Sequence, residues 1–205
     1  MNKIENYCEF IKDVFNRYYP IEENSLSQLY AIAKVRQLQK GELLLNVGQT
    51  SKHIYILNQG VIVSFFISNE GNQYHKNIFL EGDFVGSTVS ALKHESSHFG
   101  LEVIEDTTII SFDYKKYRKL IENHSDLKNF YIAYLEKNWI INKEKREIEI
   151  VMKDASERYL DFIRFQPNIE KRVPLHYIAS HLGITPTQLS RIRKKIKKKF
   201  PNQHM

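Results

Sequence analysis

Cysteine is almost missing from this sequence: Cys8 is the only one among 205 residues. One thiol makes no intramolecular disulfide and holds no iron–sulfur cluster within one chain. Cys8 therefore reads as a small apolar residue on an N-terminal helix. Long hydrophobic runs are also missing. The longest, Leu43-Leu44-Leu45 and Val61 to Ile67, fall far short of a bilayer span. The opening Met-Asn-Lys-Ile-Glu-Asn-Tyr has no apolar signal core, so a cytoplasmic location and no membrane partner are expected. No Gly-Lys-Ser/Thr phosphate loop and no Gly-x-Ser-x-Gly elbow occurs. None of the eight histidines stands at metal-ligand spacing with a carboxylate. His94 and His98 read as exposed loop residues, and His176 and His181 as surface or phosphate-proximal ones. A non-enzyme without metal or cofactor is expected.

Acidic residues are missing from one long segment. From Lys171 to Lys199 there are nine Lys and Arg and no Asp or Glu, which leaves 21 basic against 24 acidic residues elsewhere. The net charge of +6 thus hides a near-neutral body with a basic end. That is the footprint of a module that binds a polyanion, although a solvated basic face leaves the same trace. Apolar residues at 42% and charged ones at 26% describe an ordinary folded protein rather than a disordered one.

Three regions differ in periodicity. Ile4, Tyr7, Cys8, Ile11, Phe15 and Tyr18 recur by threes and fours, as on an amphipathic helix ended by Pro20. Ser25 is expected to cap a second helix, Leu26 to Ala33. Short β-branched and aromatic runs follow, at 42–47, 53–57, 61–68, 73–79, 101–104 and 108–112. Gly-, Asn- and Asp-rich turns separate them, so they predict an antiparallel roll or sandwich with room for a ligand. The helical period returns in 114–121. A long helix then runs from a Ser125 cap to about Met152, and another covers 155–165. The long helix carries a narrow stripe of Leu127, Tyr131, Tyr134, Ile141 and Ile148, interrupted by Asn138 and Lys145. It predicts a homodimer seam that includes Asn138, with packing against its own domain as the alternative. The expected class is α+β. Residues 1–124 would form the roll domain, 125–153 the dimerisation helix and 154–205 a DNA-binding domain.

The stretch from Val173 to Ile196 carries the strongest signal. Pro174 suits a first helical turn, and Leu175, Ile178, Ala179 and Leu182 make a buried face. Gly183 permits a sharp turn. Thr185 and Gln188 form a capping box around Pro186, and Leu189, Ile192 and Ile196 turn inward. This is a helix-turn-helix plan, whose second helix enters the major groove of double-stranded DNA. Thr185, Thr187, Gln188, Ser190, Arg191, Arg193 and Lys194 are the expected contact residues. Gln matches adenine and Arg matches guanine, while Lys195, Lys198 and their neighbours suit phosphates. A protein module whose basic helix meets an acidic protein surface is the alternative.

With these residues in view, the whole chain resembles the Crp/Fnr superfamily of bacterial transcription regulators. The resemblance runs through the turn glycines, Glu81-Gly-Asp-Phe-Val-Gly86, the long helix, and Ile178-Ala-x-x-Leu-Gly-Ile-Thr-x-x-x-Leu-Ser-Arg-Ile-Arg. The latter form is similar to a subgroup common in Bacteroidetes. The resemblance implies a cyclic-nucleotide-binding-like jelly roll and a homodimer on a pseudo-palindromic operator. RNA polymerase is a candidate partner, and a small effector an open one. It marks Gly86, Ser87, Thr88, Ser97 and His98 as effector-pocket candidates. Nucleotide-binding members carry a ribose-binding Glu and, ten positions on, a phosphate-binding Arg. Ser87 and Ser97 occupy those positions, so cyclic AMP is not the expected effector. Pro186 and Thr187 replace Arg and Glu of the best-known recognition helix, so a different half-site is expected. The β-hairpin wing that often follows is expected to be absent or reduced to the tail from Phe200.

Overall fold

The computed structural model describes residues 3–199, with side chains from Ile4 to Lys198, so the tail from Phe200 lies outside the described residues. Among the described residues, eight strands form two antiparallel four-stranded sheets. β1 (Ala33–Leu38), β8 (Thr107–Asp113), β3 (His53–Gln59) and β6 (Phe84–Val85) make the first, in that order. β2 (Leu43–Leu45), β7 (Gly100–Val103), β4 (Ile62–Ile67) and β5 (Gln73–Phe79) make the second, with β5 at its edge.

Strand alternation explains how one chain fills three cores. On β3, Ile54 and Ile56 face one side while Tyr55 and Leu57 face the other, and both sides are buried. The second side meets Ile62, Leu101 and Val103 from the opposite sheet and fills the roll interior. The first side meets a helical layer: α1 (Cys8–Asn16), α2 (Glu23–Ile32), α4 (Tyr114–Asn123) and α5 (Ser125–Leu135). Neither expected serine cap is made. Ser25 lies inside α2, where its Oγ is 3.0 Å from Asp126 Oδ1. His124 rather than Ser125 holds the N-cap position of α5, without a side-chain cap. Ser25 and Asp126 instead pin the second helix to the long one.

The third core lies on the outer face of the second sheet. Val61, Val63 and Ile104 join Tyr159, Ile169, Val173, Ile178, Ala179, Leu189 and Ile196. These last belong to α7 (Ala155–Phe165), α8 (Ile169–Arg172), α9 (Leu175–His181), α10 (Pro186–Lys199) and the turns between them. The C-terminal helices are therefore seated on their own roll.

The long helix is not one regular helix. After α5 comes a π-helical turn, Glu136–Ile141, and then α6 (Asn142–Met152). A π turn closes i→i+5 and inserts one residue, which rotates everything beyond it by about 100°. The predicted seam was drawn through this turn in a single phase, and the structure corrects it. Leu127 is fully buried in its own core, and Tyr131 and Tyr134 pack against it. Asn138 donates to the carbonyl of Tyr134 at 3.0 Å. Only Ile141 and Ile148 of the seam are exposed. They stand with Ile132, Trp139, Ile140, Val151 and Met152, which the seam left out. No helix among the described residues is long and apolar enough to cross a membrane.

Candidate nucleic-acid interface

The two helices expected to read DNA are α9 and α10, joined at Gly183. Its φ of +70° lies in the left-handed region that the turn needs. Pro174 sits at the N-cap of α9 rather than in its first turn, and Pro186 is the first residue of α10. The capping box is formed: Thr185 N donates to Gln188 Oε1 at 2.8 Å, and Gln188 N donates to Thr185 Oγ1 at 3.1 Å. Its geometry limits the chemistry of Gln188. The carboxamide oxygen that would accept from adenine already accepts one hydrogen bond from the helix end, which leaves its second lone pair and the amide N–H groups for a base.

Leu189 and Ile196 are buried, and Ile192 is half-buried against them. Thr187, Ser190, Arg191, Lys194, Lys195 and Lys198 are exposed. Positions 191, 194, 195 and 198 follow the i, i+3, i+4, i+7 rule, so four cations share one outward face. Arg193 departs from the expected contact set. It lies four residues after Leu189, on the inward flank, and its Nε is 2.9 Å from Glu170 Oε1. Tyr159 donates to the same Glu170 oxygen at 2.8 Å. Burial, and then Glu170, raise the Tyr159 phenol to about 12, so it stays a donor. This network ties α7, α8 and α10 together. Arg158 adds a further tie by donating to the carbonyl of Leu182 at the end of α9.

A second cation leaves the basic patch. Arg172 makes a two-pronged ion pair with Glu81, at 2.6 and 3.0 Å, and also pairs with Glu105. Its Nη2 donates to the carbonyl of Gly60 at 3.0 Å. Gly60 holds a φ of +111°, and a side chain there would collide with Thr107. Burial alone would raise the Glu81 carboxyl. Hydrogen bonds from Arg172 and from the backbone outweigh burial and hold it below the usual range. The sequence showed Arg172 only as one more positive charge, because Glu81 and Glu105 lie 91 and 67 residues away.

α9 completes this seat by covering the open edge of β5. The His75 N–H donates to Ser180 Oγ at 2.8 Å, and His181 Nδ1 lies 3.0 Å from the carbonyl of Lys76. An edge strand leaves such groups unpaired unless another element covers them. His75 packs edge-on against Tyr177 at 4.2 Å. Burial pushes both His75 and His181 down to about 4, so each is neutral at pH 7. His181 is thus an interface residue rather than a phosphate-proximal one, while His176 is exposed.

In the cassette, Ser87 and Ser97 are both buried, and their Oγ atoms lie 2.9 Å apart. Ser97 Oγ also lies 2.7 Å from the Phe99 carbonyl. The two hydroxyls satisfy each other where a ribose and a phosphate would need partners. Gly86 precedes them and Thr88 opens α3 (Thr88–Lys93). His98 is exposed, and so adds no buried charge. No group of three or more His, Cys, Asp or Glu poised for a metal occurs among the described residues.

Comparison with known proteins fits this geometry. Residues 35–124 match the cyclic nucleotide-binding domain. The fumarate and nitrate reduction regulatory protein of Yersinia pestis is 34% identical over 86 residues, 41% of this chain and 34% of that protein. Electron transport regulator A of Shewanella oneidensis is 24% identical over 187 residues, 85% of this chain and 73% of that protein. Among solved structures, a Eubacterium rectale protein assigned to the Crp/Fnr family of transcriptional regulators superposes with a TM-score of 0.65 at 16% identity. That superposition covers 89% of this chain and 88% of the other, and it shows the shared fold.

Proposed function

We propose that the chain is a DNA-binding transcription regulator of the Crp/Fnr superfamily and that it reads a pseudo-palindromic operator as a homodimer. One observation carries the reading: the outward face of α10 presents Thr187, Ser190 and Arg191, backed by Lys194, Lys195 and Lys198, while Arg193 is paired inside. Arg191 is the base reader and the lysines meet phosphates. Gln188 keeps the helix end in place. The dimer forms along the exposed apolar face of the long helix, centred on Ile141 and Ile148. It sets two half-sites about 34 Å apart. The chain divides in function into the roll with its helices, the long helix and the four C-terminal helices. RNA polymerase is its partner at the promoter, and the roll domain answers to an effector other than cyclic AMP. The protein works in the cytoplasm.

Selection of bound sequences from random duplex DNA tests this. The wild type should enrich one two-fold motif. Arg191→Ala should lose about 1–3 kcal/mol of specific binding and relax one base step in each half-site. No enrichment by the wild type would turn the basic face over to a protein partner. Full preference in the mutant would remove Arg191 as a reader.

A further inference from the structure

A cavity of about 180 Å³ lies on the helix-facing side of the first sheet, outside the roll interior. Ile54 and Phe84 form its floor, and both belong to the core shared with the helices. Leu92 of α3, Tyr114 and Tyr117 of α4, and Trp139 of the π turn are among its walls. Three features restrict what it can hold. Its size resembles an apolar cavity of about 150 Å³ that takes up benzene, so it suits one ring and not a nucleotide. Its lining is mostly carbon, with Thr88, Trp139 and tyrosines as its polar side chains and no carboxylate or amine, so a charged guest would be buried without an ionic partner. Tyr114, only 5% exposed, has the Tyr131 phenol beside it, yet its hydroxyl makes no hydrogen bond of normal geometry, and a buried donor left so is rare. Burial raises the Tyr114 phenol, which therefore remains protonated.

We propose that this cavity binds a small uncharged molecule, one ring in size and largely apolar, that offers one hydrogen-bond acceptor to Tyr114. The assignment rests on the reading of the chain as an effector-responsive regulator. The walls give such a guest a route to the DNA-binding helices. α3 begins directly after the Ser87 cassette position, and the π turn leads through α6 to the C-terminal unit. A guest that fills the gap between α3 and the π turn contacts both, and can favour one helical phase over another.

The test uses the full chain without DNA and follows fluorine relaxation of three probes. 4-Fluoroanisole has the ring and the acceptor, fluorobenzene lacks the acceptor, and 4-fluorobenzoate adds a charge. Fluoroanisole should bind, fluorobenzene about 2- to 12-fold more weakly as expected for one lost hydrogen bond, and fluorobenzoate not measurably. Tyr114→Phe should erase the preference for the ether while leaving fluorobenzene bound. Leu92→Trp, at a half-exposed rim position, should weaken both uncharged probes. Trp139, the only tryptophan of the chain, gives a second signal from the cavity wall. Absence of binding by both uncharged probes, equal binding of the benzoate, or an unchanged preference in Tyr114→Phe would each overturn the proposal. So would Trp139 emission that follows protein dilution and ignores the probes, because a second copy would then fill the space. With no DNA present, a negative result bears on the cavity alone, and a failed duplex selection bears on the regulator reading alone.

Discussion

Replacing Arg172 with Met removes the guanidinium but keeps an unbranched chain as long as the arginine stem. The change strands Glu81, Glu105 and the Gly60 carbonyl at the seam between the roll and the C-terminal helices. Breaking a fully buried pair costs about 3–5 kcal/mol, whereas an exposed pair contributes about 0–1. Arg172 and its two carboxylates are each about one third exposed, so water relieves part of the penalty. We expect a loss of about 1–3 kcal/mol, between these limits. For a chain of this length that is a fall in Tm of about 2–12 °C. Calorimetry gives the total, and amide exchange along β5 and α9 locates it. Replacing Glu81 and Glu105 with Gln in the Arg172→Met background should recover much of the loss, because no unpaired charge remains. An unchanged Tm with unchanged exchange would mean that Arg172 holds nothing. A triple variant no better than the single one would mean that the lost hydrogen bonds, including the one to the Gly60 carbonyl, and not the unpaired charges, account for the loss.

Ile141→Glu with Ile148→Glu should give a monomer in sedimentation. Leu127→Ala should lower stability by about 2–5 kcal/mol and leave the oligomeric state alone, since Leu127 is buried in its own chain. Stability should fall as pH drops from about 6.5 to about 4, because the unfolded chain then protonates His75 and His181 while the folded chain resists. The ceiling is about 3 kcal/mol for each histidine. We expect about 1–2 with solvent relief, and denaturation at pH 7 and pH 5 that gave equal stability in the wild type would refute it. Cyclic AMP should show no micromolar binding in calorimetry, since an unpaired buried anion costs about 3–5 kcal/mol. A Kd of a few micromolar would contradict that.

Most strands could be drawn from the sequence because turn residues bracket them and both faces of β3 and β8 are apolar. β1 could not be, since only the ends of Ala33–Leu38 are buried and charged residues stand between. β6 has two residues, too few for any period to show. The capping box of α10 was legible because it is local in sequence, and so was the left-handed turn at Gly183. The phase of the expected seam is lost for a different reason: no residue type marks a π turn, and one extra residue shifts every later position. Arg193 is among the expected DNA contacts, and Arg172 belongs to the basic end. For Arg193 a signal existed, since it stands one turn after Leu189 and shares its face. For Arg172 there was none, because its partners come from the far side of the chain.

The pairing of these two arginines sharpens the electrostatic argument. Nine basic residues in an acid-free segment suggest a diffuse cationic end. Arg172 is neutralised by the roll, and Arg193 by Glu170. Lys171 donates to Asn168 at 2.9 Å, on the turn before α8. The described cations of this segment with no carboxylate partner are Lys171 and, on α10, Arg191, Lys194, Lys195, Lys197 and Lys198. Four of them share one face, so the field is focused on the helix that would enter a groove. A diffuse patch would bind any duplex through phosphates alone. A single cationic face whose N-terminal end carries a hydroxyl, a second hydroxyl and an arginine can first find the backbone and then test base edges in a fixed register. The internal pairs therefore serve recognition as well as stability: each arginine withdrawn from the surface removes one non-specific phosphate contact. The same withdrawal locks the orientation of the reading helix to the roll behind it.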